Sequence, residues 1–104
     1  MSDGLRIADH AERSRFELLE GDRVVGWVDY RPAGKSIIIA HTEVAAGGEG
    51  RGLGGTVVRG VLERLRAEGR TAIPLCPFAA AWLDRHRDYL DVVDPSFRGR
   101  FGGG

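Results

Sequence analysis

Three side chains and one loop in this sequence have the residue types that chemistry needs. Cys76 ends an apolar stretch and directly precedes Pro77, a residue suited to the first position of a helix. A thiol beside a helix N-terminus is biased toward thiolate; the alternative reading is a small buried hydrophobe. His41 sits near the end of an earlier apolar run. It reads either as a proton donor or acceptor near neutral pH or as a structural hydrogen-bonded group. Glu43, two residues on, is placed to orient His41 or an incoming amine, unless it is simply solvated.

The loop is Ala45 to Gly55, with six glycines between Gly47 and Gly55. It follows the β-branched run Ser36-Ile37-Ile38-Ile39-Ala40 and precedes an apolar stripe at Leu53, Val57, Val58, Val61, Leu62 and Leu65. The order is strand, glycine-rich loop, amphipathic helix. The first N–H groups of such a helix lack partners and its dipole favours negative charge, which makes an anion site suited to phosphate. Arg51 adds a cation beside it. Gly50, Gly52 and Gly55 also fit G-x-G-x-x-G, but a dinucleotide site needs an acidic residue about 20 positions later. The strand that should carry it ends Leu75-Cys76-Pro77, so that reading is rejected. No Gly-Lys-Ser/Thr follows, which excludes a Walker A loop.

The elements that must position these groups are legible in outline. Arg15 to Glu20 and Arg23 to Arg31 read as two strands joined by the turn Gly21-Asp22. Ser36 to Val44 is a third, apolar on both faces at Ile37 to Ile39 and therefore central. Alternation places Ile37, Ile39, His41 and Glu43 on one face. A helix from Leu53 to Glu68 is closed by Gly69, and a fourth strand within Arg70 to Cys76 should run parallel to the third. Pro74 cannot donate to a ladder, so that strand is splayed or at an edge. A second helix runs from Phe78 to about Arg87. If the third and fourth strands are neighbours, His41 and Cys76 meet at the C-terminal edge of the sheet, where open α/β sheets place ligands.

The chain has 104 residues and equal numbers of acidic and basic side chains, which fits one domain with no global field toward nucleic acid or membrane. No run of 18 or more apolar residues spans a bilayer. Met1 to Arg15 carry no secretory h-region, and the single cysteine fits a reducing compartment, so a cytoplasmic location is expected. The three histidines and the cysteine have no zinc-like spacing, and no metal is expected. Residues 1–12 are expected to be a flexible N-terminus, 13–94 the folded domain, and 95–104 a disordered Gly/Arg tail.

The order of elements resembles the GNAT superfamily of acetyl-CoA-dependent N-acetyltransferases. His41-Thr42-Glu43-Val44, Glu49-Gly50-Arg51-Gly52-Leu53-Gly54 and Pro74-Leu75-Cys76-Pro77-Phe78 are similar to the signatures of a small single-domain GNAT-like family. His86-Arg87-Asp88-Tyr89 resembles its H-P-E-Y segment, with Arg87 in place of proline. The resemblance covers about residues 12 to 93. It implies a mixed α/β (α+β) class and a truncated GNAT-like fold: antiparallel β-meander, helix, parallel strand, helix. It also implies CoA pyrophosphate on the loop, at Val44, Gly50, Arg51, Gly52, Leu53, Gly54, Gly55 and Thr56, with the pantetheine arm between the third and fourth strands. His41 and Cys76 become the expected catalytic pair. His41 would act as base or proton relay and Cys76 as acid to the CoA thiolate or as a transient acyl acceptor. The superfamily carries Gln or Arg where this chain has Glu49, whose carboxylate would repel phosphate and is expected to turn away. The expected function is acetyl transfer from acetyl-CoA to an amine of unspecified identity. The alternative is a non-catalytic module that binds CoA or an acyl-CoA. Oligomeric state is not readable from the sequence.

Overall fold

The computed structural model describes residues 4–101, folded as a five-stranded sheet with its helices packed on one face. The strands are β1 (Leu5–His10), β2 (Arg15–Glu20), β3 (Arg23–Ala33), β4 (Ser36–Val44) and β5 (Thr71–Pro74), in spatial order β1-β2-β3-β4-β5. The first four form an antiparallel meander, and β4 pairs with β5 in parallel. The expected class and the parallel pairing are as read from the sequence. β5 is the edge strand, bridged on its outer side only at Ala72, to Val93. That position tolerates Pro74, which has no N–H to give.

Helix α1 (Leu53–Ala67) lies across the sheet as the connection between β4 and β5. Its Val57, Val58, Val61, Leu62 and Leu65 are fully buried, against Phe16, Leu18, Val28, Ile37, Ile39 and Ala72 from the strands. Each such side chain contributes about 1.5–3 kcal/mol of burial. The helix stops where the sequence says it must. Gly69 takes φ +69°, its N–H bonds Arg66 O, and Arg70 N–H bonds Leu65 O, the two bonds of a Schellman motif. Helix α2 (Pro77–Arg85) begins at Pro77 and buries Ala79, Trp82 and Leu83.

Two expectations change. Residues 5 to 10 are not a loose leader but β1, pinned along all of β2. Leu5 and Ile7 pack against the core, and the Tyr30 hydroxyl donates to Asp9 at 2.7 Å. Residues 95 to 101 are likewise ordered, as a short helix α3 (Pro95–Arg98) and a 3-10 turn. Asp94 caps α3 through Ser96 N–H, Phe97 packs on the core, and Phe101 is buried. Residues 1–3 and 102–104, also assigned to loose termini, lie outside the described residues.

Burial of the Tyr30 phenol, and then its bond to the Asp9 carboxylate, push its pKa up to about 12 from 10.0. A raised folded-state value means that the stabilisation is complete below pH 10 and fades as pH climbs toward about 12. Tyr30→Phe should lower stability by about 1–2 kcal/mol at neutral pH. In urea titrations it should also remove this part of the alkaline decline.

Candidate functional site

The site is built where β4 outruns its neighbour. The β4–β5 ladder ends at Ile39 and Pro74, and Cys76 N–H gives a last bond to Ile39 O at 2.9 Å. Strand β4 continues to Val44 against β3 alone. The chain after β5 turns into α2 at Cys76, whose carbonyl accepts the first helical bond from Ala80 N–H. Beyond that bond β4 and the chain after β5 no longer pair, in keeping with the splayed or edge strand expected from Pro74.

A bulge decides what faces the gap. Asp29 pairs with His41 but the next residue, Tyr30, pairs with Ile39, so Ala40 is an extra residue in β4. An odd residue reverses the alternation beyond it. Ile37 and Ile39 face the helices, but after Ala40 it is Thr42, paired with fully buried Val28, that does so. His41 and Glu43 turn to the opposite face of the sheet, beside their cross-strand partners Asp29 and Trp27. The expectation that His41 shares a face with Ile37 and Ile39 is thus corrected, and with it the direct meeting of His41 and Cys76. Cys76 is 4% exposed on the helix side, and its thiol donates to Thr42 Oγ1 at 3.5 Å. His41 Nε2 is hydrogen-bonded to Glu43 Oε1 at 2.5 Å, both side chains about half exposed. Glu43 is thus the hydrogen-bond partner of His41 on that face. The residue that sequence reasoning missed is Thr42: its position inside the motif marks it, but only the bulge sends its hydroxyl to the sulfur.

The glycine loop delivers the start of α1 to the same end of the sheet. Thr56 N–H makes the first helical bond, to Gly52 O, and Thr56 Oγ1 bonds the same carbonyl at 3.1 Å. No side chain caps this helix, so the N–H groups of Leu53, Gly54 and Gly55 have no acceptor among the described residues. Open N–H groups at a helix N-terminus are of the kind that suits an anion. The glycines there also serve packing. A Cβ on Gly54 would lie 2.7 Å from the Phe78 ring, and one on Gly55 would lie 3.0 Å from the Trp82 indole nitrogen. Bare backbone at these two positions lets α2 close on the first turn of α1.

The loop's charged side chains are already engaged. Arg51 Nη2 is 2.9 Å from Glu20 Oε2 at the end of β2, and this bond holds the Glu20 carboxyl below its ordinary value. Arg51 therefore reaches toward β2 rather than the open N–H groups. Glu49 does not turn away from the loop: its Oε1 accepts from Gly47 N–H at 2.9 Å. Leu75 and Phe78 flank Cys76 and are the two exposed large hydrophobics among the described residues, 57% and 43% accessible. Among the described residues no cluster of His, Cys, Asp or Glu is arranged to hold a metal, and no helix is long and apolar enough to cross a membrane.

Gly52, the residue before α1, takes φ +71° with open space where a Cβ would go. Any cost of replacing it is therefore a backbone cost. Gly52→Ala should lose about 1–2 kcal/mol in urea unfolding, and Gly52→Asn less, because asparagine tolerates this conformation better.

The comparisons with known proteins point the same way as the geometry. The sequence profile of the GCN5-related N-acetyl-transferase family matches residues 15–93. A GCN5-like protein from Staphylococcus aureus, solved in solution by NMR and proposed to be an N-acetyltransferase, superposes with a TM-score of 0.61. It is 26% identical, over 89% of this chain and 91% of its own. Among curated proteins none matches at a significant level. A profile match over most of the chain and a shared fold lead to one conclusion: this chain belongs to the GCN5-related N-acetyltransferase family.

Proposed function

We propose that this protein transfers an acetyl group from acetyl-CoA to an amine, with the two substrates reaching the end of the β4–β5 pairing from opposite faces of the sheet. The observation that carries the reading is the parting of these strands beside the unpartnered N–H groups of α1. The fit to a CoA ligand is good on two counts. The backbone around Val44 and from Gly50 to Thr56, with three open N–H groups, suits a diphosphate, and the β4 backbone left unpaired beyond Ile39 suits an extended arm. Arg51 joins the site only if it leaves Glu20. One feature opposes the anion, the Glu49 carboxylate on Gly47 N–H.

Acetyl-CoA supplies an activated carbonyl on a good leaving thiolate. This chain must deprotonate the amine, polarise the carbonyl and protonate the leaving sulfur. In this reading His41, hydrogen-bonded to Glu43 on the helix-free face, takes the ammonium proton, and the carboxylate stabilises the imidazolium that results. Backbone N–H groups of β4 beyond Ile39 have no strand on the β5 side, and in this reading they polarise the carbonyl. Cys76, on the helix face, serves as acid to the thiolate. The two residues thus work from either face of the sheet rather than as a contacting pair.

Thermal unfolding with acetyl-CoA, CoA, NADH and ATP tests the ligand. At a hundredfold excess over its dissociation constant, acetyl-CoA or CoA should add about 2.7 kcal/mol, a rise of several degrees. NADH and ATP should give none. Absence of a shift with either CoA compound overturns the reading. An amine and peptide panel then tests turnover: His41→Ala and Cys76→Ala should each lower kcat about 10²–10⁴-fold. Wild-type rates in both would remove them from the mechanism, and clear CoA affinity without turnover would favour the binding-module alternative.

Glu49→Gln removes a carboxylate from the diphosphate loop. By calorimetry at low salt, CoA should bind roughly fivefold tighter, the equivalent of about 1 kcal/mol of repulsion. The gain should shrink as salt screens it.

A further inference from the structure

The hydrogen-bond partner that the fold gives Cys76 is a hydroxyl on the neighbouring strand, not the histidine of the same motif. We infer that Thr42 is a positioning residue for the Cys76 thiol, holding its proton in the resting protein and donating to the sulfur once the proton has gone. Three observations carry this. The Ala40 bulge turns Thr42 to the helix face and pairing with Val28 fixes its backbone. The Cys76 thiol donates to Thr42 Oγ1 at 3.5 Å, and Sγ has no other hydrogen-bond partner among the described residues. Cys76 is 4% exposed, so little water is at hand to solvate a thiolate there. The backbone of Cys76 is fixed in turn by its N–H bond to Ile39 O and by the α2 bond from Ala80.

The consequence for turnover rests on the acetyl-transfer reading above. There the S–H bond of Cys76 breaks, the proton passes to the departing thiolate sulfur, and the electron pair stays on Cys76 Sγ. A hydroxyl is both donor and acceptor, so Thr42 reverses its role by rotation and points its O–H at the new thiolate. His41 releases the amine's proton to solvent on the open face, and one proton taken up from solvent restores Cys76 when CoA leaves the site, so the cycle closes without another reactant.

The test uses the chain's one cysteine, so alkylation by iodoacetamide at fixed neutral pH reports Cys76 alone. Thr42→Val keeps the shape and removes the hydroxyl; Thr42→Ser keeps the hydroxyl. Alkylation proceeds through the thiolate, and because S–H is a weak donor while a bond to a charged sulfur is stronger, losing the hydroxyl should lower the thiolate population several-fold. The expected result is a several-fold slowing in Thr42→Val and a near wild-type rate in Thr42→Ser, with unchanged unfolding temperatures. In the acetyl-transfer assay, Thr42→Val should lower kcat while leaving KM for acetyl-CoA in place. Wild-type alkylation in Thr42→Val, or slow alkylation in Thr42→Ser, overturns the assignment. Because alkylation needs no acetyl transfer, a protein that fails to turn over any amine yet shows the Thr42 effect would refute the proposed reaction and leave this inference standing.

Discussion

Ala40 is one residue more than the β3–β4 ladder can pair, and the geometry of the site depends on it. Without the bulge, strict alternation would aim His41 at the helices and Thr42 at the open face. With it, a buried thiol meets a hydroxyl on one side and an exposed histidine–carboxylate pair lies on the other. The inserted residue is small and exposed, so it occupies solvent and not core. A bulge at this point also bends a strand just where it leaves its parallel neighbour. The same irregularity thus sorts the side chains and accompanies the opening between β4 and β5.

The second constraint is the contact between α1 and α2. Phe78 and Trp82 press on the first turn of α1, where a Cβ at position 54 or 55 would crowd their rings at 2.7 and 3.0 Å. This packing fixes α2, and its first residues fix Cys76, because Cys76 is the residue from which α2 starts. A glycine run that reads as a phosphate loop therefore has two physical duties, open backbone N–H groups and close helix approach. Its charged members are tied down as well: Arg51 to Glu20 and Glu49 to Gly47 N–H. Both bonds are exposed, so both are weak enough to exchange for a ligand.

The ends of the chain show where local pattern loses to packing. Leu5-Arg6-Ile7-Ala8-Asp9-His10 is a short and mostly polar alternation, too weak to mark a strand alone. It becomes one because β2 offers a full edge and because Asp9 finds the Tyr30 hydroxyl. The last segment is glycine-rich and reads as a tail, yet Phe97 and Phe101 lie four residues apart and pack together, with their rings 6.5 Å apart. Arg87 Nη2 donates to the Phe101 carbonyl and holds the turn. These gains come from partners distant in sequence, which composition does not record.

Periodicity and turn chemistry carried the rest. Three strands, the α1 stripe, the Gly69 stop, the Pro77 start and the parallel return of β5 were legible from residue type and spacing, because each rests on interactions within a few residues. The glycine loop and its open helix N-terminus were legible for the same reason. The faces of β4 beyond Ile39 were not. A bulge is a disagreement between two strands about register, and it has no signature within either strand by itself. Only the assembled sheet could show that Cys76 answers to Thr42, that His41 looks the other way, and that Arg51 is spent on Glu20.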